Sequence, residues 1–165
     1  MNEKKLRTHI FVALGLAVIT DLSILCVPCV KIDGTAAQRN SAYIVAGLFW
    51  ICIILQIVNV CMTTKIRKQL QRKKLRGCKF EALPVGAFAF RQNVEGLVAD
   101  ALLVISFLAL VFVSICKVRS VWLTIVLVAA VILLFQLHCI FNGRNYRAYK
   151  VYLFMNKGAD RHEQK

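Results

Sequence analysis

The 165-residue chain is 59% hydrophobic and 18% charged, and 22 Lys and Arg against 8 Asp and Glu give it a net charge of +14. That hydrophobicity excludes disorder, and 8 Gly with 2 Pro exclude a collagen-like or proline-rich chain. A single water-soluble domain is excluded by arrangement, because most apolar residues fall in four unbroken runs.

The runs cover residues 8–30, 42–62, 94–116 and 121–141, which is 23, 21, 23 and 21 residues. Roughly 20 apolar residues carry a helix across a hydrocarbon core about 30 Å thick, so each run is long enough. In lipid, a spanning segment must satisfy its own backbone groups, which favours helices, and no two-residue alternation suggests a barrel. The sequence therefore predicts an all-α polytopic membrane protein, one domain over 1–165 with four transmembrane helices in one bundle. Lys4, Lys5 and Arg7 ahead of the first run resemble the start of a signal peptide. The length of that run and Asp21 inside it argue for a retained span.

Between the runs, Lys and Arg are divided unevenly. The N-terminus holds 3, the segment after the second run 9 and the tail 6, whereas the other two connections hold 2 each. The positive-inside rule then puts both termini and the long second loop, 63–93, in the cytoplasm. The expected location is a plasma membrane of the bacterial cytoplasmic type. Residues 65–79 carry eight basic residues and no acid, and Ile66 and Leu70 keep helical spacing, so the second helix should continue toward Gly77. Lys65, Arg67, Lys68, Arg72, Lys73, Lys74 and Arg76 are the candidates for resting on anionic headgroups, each worth ~1 kcal/mol near the surface. The bilayer is thus the expected partner, with a second membrane protein or another copy of the chain as the alternative. No nucleic-acid partner is needed to explain the charge. Residues 80–93, apolar but broken by Pro84 and Gly86, read as an interfacial stretch. In the tail, Asn142-Gly143 is a helix stop, and Tyr146, Tyr149 and Tyr152 alternate with Arg147 and Lys150 like an interfacial belt.

Charged groups inside spans cost ~2.5–3.5 kcal/mol at the centre, so they are candidate functional groups. Asp21 lies about 21 Å up the first helix from Arg7, and Asp100 about 13 Å up the third from Arg91. Gln56, Asn59 and His138 share the depth of Asp100, so these four are expected to meet in one layer. Gln136, two residues from His138, should face the other way and stay out of this cluster. Glu95 is expected to pair with Arg91 four residues earlier. Ala13-xxx-Ala17 and Ala42-xxx-Ala46 are small-residue pairs expected to face neighbouring helices.

Two resemblances carry functional implications. Asp21 in the first of four spans resembles the essential acid of small multidrug transporters, although the uneven basic charge departs from their pattern. Cys26-Val-Pro-Cys29 at an outer helix end is similar to the CxxC of membrane disulfide-forming quinone reductases and vitamin K epoxide reductases. Those families imply a second outer cysteine pair, and here only Cys116 is available. Three readings follow: a non-enzymatic accessory, regulatory or transport-related component; a thiol–disulfide oxidoreductase using Cys26 and Cys29; and a proton- or cation-coupled transporter using Asp21 or Asp100 with His138. No metal set or cofactor motif is present in the sequence, and none is expected.

Overall fold

The computed structural model of the chain describes residues 2–26, 36–74, 93–118, 120–150 and 153. Four long helices dominate it: α1 (Asn2–Leu25), α2 (Ala36–Lys74), α3 (Val94–Ile115) and α4 (Val121–Phe141). A short helix, α5, follows over 144–150. No strand occurs among the described residues. All four long helices are long and apolar enough to cross a membrane.

The ends of α3 and α4 fall within a residue of the apolar runs. α1 and α2 are longer than their runs, because hydropathy marks an apolar stretch and not the end of a helix. The polar residues 2–7 and 65–74 are good helix formers and extend the hydrogen-bond ladder beyond it. At 39 residues, α2 is about 58 Å long. The 80–93 stretch, except Asn93, lies outside the described residues, as does Tyr152.

Packing follows a linear order. α1 packs on α2 and on α4, and α4 packs on α3, so α1 and α4 are central while α2 and α3 flank them. Away from the cluster of Leu6, Ile10 and Tyr146, what is buried is mostly small or polar: Ala17 and Thr20 are fully covered, and Ala99, Ala129, Ser23, Asn59 and Thr63 nearly so. Large side chains point outward, with Ile115 73% and Tyr43 73% exposed. Small residues let backbones approach closely, and an apolar exterior on this scale suits hydrocarbon and not water. Ala17 meets its expectation. Ala46 does not: it is exposed, and Gly47 beside it has no neighbour near its Cα face, so no helix packs closely at these two positions.

The turn from α3 to α4 is tight. Cys116 N–H bonds Phe112 O and Val118 N–H bonds Val113 O, with Lys117 between them in the left-handed region at φ 50°. Ser120 then caps α4 by accepting from Leu123 N–H at 3.4 Å. At the opposite end, α5 folds back on the bundle. Tyr146 is buried against Leu6 and Ile10 of α1, with Ile66 of α2 and Phe141 of α4 packed around them. Asn145 donates to Thr64 of α2 at 3.4 Å, and Lys150 pairs with Glu95 of α3. This corrects one expectation: Tyr146 is a core residue and not part of a belt. Glu95 finds Lys150, a partner far along the chain, and the expected partner Arg91 lies outside the described residues.

Candidate functional site

The polar residues within the long apolar helices gather into two groups on different faces of α4, and not into the single expected layer. The first group joins α3 to α4. His138 Nδ1 lies 2.5 Å from Asp100 Oδ1, and Asn142 Nδ2 donates to the same oxygen at 2.9 Å. Asn93, at the start of α3, donates to Phe141 O at 3.0 Å and to Asn142 Oδ1 at 3.2 Å. The Asn93 side chain therefore serves the Phe141 carbonyl at the end of α4 and makes no cap bond to its own helix. The four side chains form a chain of donors ending on one carboxylate. Gly96 makes room for it, since a Cβ there would stand 2.3 Å from Asn93 Nδ2 and 2.7 Å from Asn142 Oδ1. Asp100 and His138 remain about two-fifths exposed, on the outward side of the α3–α4 pair.

The second group joins α2 to both central helices. Asn59 Nδ2 donates to His9 O at 2.9 Å, which leaves Asn59 Oδ1 to accept from His9 Nδ1 at 2.6 Å. Gln56 Nε2 donates to Thr20 Oγ1 at 3.0 Å and to Gln136 Oε1 at 2.9 Å. Gln56 and Asn59 thus tie α2 to α1 and α4, and they do not meet Asp100 or His138. Gln136 and His138 face different ways, as expected, but the expectation that Gln136 stands apart from Gln56 is corrected, because the two bond each other.

Between α2 and α3, over a floor of α1 and α4, lies a cleft of about 1000 Å³. Ile53 of α2, Leu103, Val104 and Phe107 of α3, and Ile132 and Phe135 of α4 give it apolar walls. The second polar group lies along its floor through His9, Gln56, Asn59 and Gln136. Arg67 and Arg144 line one end, and no Asp or Glu lines the cleft. Arg67 Nε is buried there without a hydrogen-bond partner among the described residues.

The remaining candidates are separate. Asp21 is 9% exposed, and its Oδ1 has no partner among the described residues, because neighbouring Thr20 and Ser23 spend their hydroxyl protons on Leu16 O and Thr20 O. Cys26 is exposed one residue past α1, and Cys29 lies outside the described residues. Lys65 and Lys68 are exposed, Arg67 turns into the cleft, Arg72, Lys73 and Lys74 occupy the last turn of α2, and Arg76 lies outside the described residues. Among the described residues, no three His, Cys, Asp or Glu side chains converge on a common point.

Sequence reasoning missed His9, Asn93, Asn142 and Arg144. His9 was legible in principle: it lies five residues from Lys4 as Asn59 lies six from Lys65, which gives them one depth. Asn142 was read as a helix stop, and that role hides its side chain's second use across to Asp100. No protein-family model matches the sequence, and comparisons with curated proteins and with solved structures find no match.

Proposed function

We propose that the chain is a multi-pass protein of the plasma membrane with both termini on the cytoplasmic side. In this reading it works without catalysis, as an accessory, regulatory or transport-related component whose lateral cleft holds an amphipathic ligand. The observation that carries the reading is the cleft itself. It is largely apolar, polar along its floor and basic at one end, and it lies between helices whose outer surfaces suit lipid. Pockets for small ligands run to ~1000 Å³ and combine apolar walls with a few placed polar groups, as here. The orientation rests on the uneven division of Lys and Arg.

The test is occupancy. Thermal stability of the purified protein in a mild detergent is measured across a panel of amphiphiles, beside Val104→Trp, which fills the cleft from an outward-facing position. At least one amphiphile should raise the melting temperature of the wild-type protein and leave the variant unmoved. Identical responses from the two proteins would remove the cleft from the function. Reporter fusions after Lys165 and within residues 68–76 should be cytoplasmic, and one within residues 33–40 external.

A second reading, a proton- or cation-coupled transporter, is favoured by one contact, the 2.5 Å approach of His138 to Asp100. An Asp–His pair within a span is a plausible proton relay in chemical terms. Asp100→Asn separates the two readings: a relay loses transport with folded yield intact, whereas a structural tie keeps function.

A further inference from the structure

The basic end of the cleft identifies its occupant more closely. Arg67 is two residues short of the end of the apolar stretch Arg39–Gln69, and Arg144 is three residues past the end of α4, so both stand at the same boundary of the apolar zone. Arg67 Nε is buried with its hydrogen-bonding capacity unused, and no acid lines the cleft to neutralise either guanidinium. A guanidinium presents several donors in a planar fork that matches phosphate oxygens, so a paired set of arginines without acids selects a phosphate-bearing anion. The opposite end is apolar. Along α2, Ile53 and Arg67 are about 21 Å apart at 1.5 Å per residue, close to a headgroup plus one ~15 Å half of the hydrocarbon core. Leu103, Val104 and Phe107 of α3, about 6 Å of helix, form part of the apolar wall.

We propose that the cleft seats one anionic glycerophospholipid, its phosphate taken by Arg67 and Arg144 and its acyl chains lying between the apolar walls that α2, α3 and α4 supply. This rests on the ligand-holding reading above and names the chemistry of the ligand. The lipid enters sideways from the leaflet on the side of the two arginines. Lys65 and Lys68 on the exposed face of α2 attract anionic headgroups generally, whereas the arginines supply a site of fixed stoichiometry.

Native mass spectrometry of the purified protein, given an equimolar mixture of phosphatidylglycerol and phosphatidylcholine, reads the preference directly. The wild-type protein should retain one lipid, with phosphatidylglycerol favoured about tenfold. Arg67→Gln with Arg144→Gln should bring the ratio near one, Lys65→Gln with Lys68→Gln should leave it unchanged, and Val104→Trp should lose the bound lipid of both kinds. Inorganic phosphate at millimolar concentration should not displace the lipid. A wild-type protein that binds both lipids equally overturns this inference and leaves the ligand-holding reading standing, and that result needs no variant to fold. Retention of no lipid at all overturns both. A preference that survives loss of the arginines, or that vanishes with the two lysines, assigns it to surface charge and overturns the site.

Discussion

His138 Nδ1 lies 2.5 Å from Asp100 Oδ1, and that oxygen also accepts from Asn142 Nδ2 at 2.9 Å. One carboxylate atom therefore joins two positions on α4, one turn apart, to α3. Asparagine at position 100 keeps an acceptor oxygen at the same place, whereas leucine leaves His138 and Asn142 without a partner. Asp100→Asn should cost under about 1 kcal/mol, and Asp100→Leu about 1–3 kcal/mol, given ~0.6–1.7 kcal/mol per bond of this type in membranes. Thermal unfolding in detergent checks both. Equal tolerance of the two changes would show that the tie does not hold the helices.

Three glycines separate packing from propensity. Gly96→Ala drives a methyl group into Asn93 and Asn142 and should destabilise by about 1–3 kcal/mol, the range for overpacking. Gly15 and Gly47 have nothing near their Cα faces, so alanine there should stabilise by about 0.5–1 kcal/mol through helix propensity alone. Thermal unfolding of the three variants should show opposite signs, and a stabilising Gly96→Ala would refute the packing around Asn93.

Asp100 with His138 was legible because both carry chemistry that hydrocarbon tolerates poorly, and because distance from the charged ends gives their depth. Gln56 and Asn59 were placed against the wrong partners. Depth along a helix is linear in sequence, but the direction a side chain faces depends on how each helix is turned about its axis. With four helices of nearly uniform apolarity, no amphipathic stripe reports that rotation. The same ambiguity explains Ala46, a small residue with no helix against it. The cleft was illegible for a further reason: it arises from the packing order of the helices, which places α2 and α3 at opposite flanks. Arg67 looked like one more member of a basic run until its position on the inward face was visible.

Lys117 sits at φ 50° between α3 and α4, a conformation that costs an L residue roughly 1 kcal/mol and glycine little. Lys117→Gly should raise stability by about 0.5–1 kcal/mol, whereas Lys117→Ala should give no gain. Both follow from melting temperatures, and a destabilising glycine would mean that the turn relies on the lysine side chain.

The attachment of α5 should fail in alkali. Burial pushes the Tyr146 phenol above its ordinary range. For Lys150, burial works against the charged form, but the Glu95 carboxylate outweighs it and the net direction is upward. In both cases the folded state binds protons more tightly than the unfolded one. Their contribution is therefore complete below the ordinary values near ~10 and is lost as pH rises through the raised ones. Hydrogen exchange across residues 144–150 should be protected equally at pH 7 and 9 after correction for intrinsic rates. Protection should fall above about pH 10, ahead of the long helices. Loss already at pH 8 would contradict the burial of Tyr146.

α5 touches every long helix: α1 through Leu6 and Ile10, α2 through Thr64 and Ile66, α3 through Glu95 and α4 through Phe141. It also follows all four in the chain, so the growing polypeptide completes its two hairpins, α1–α2 and α3–α4, before the piece that fastens them together emerges. During that interval Leu6 and Ile10 lack the cover of Tyr146, and the hairpins are joined where α1 meets α4 and through Gln56 and Gln136. A chain interrupted just after Phe141 would be a loosely joined pair of hairpins with an apolar notch at the N-terminal end.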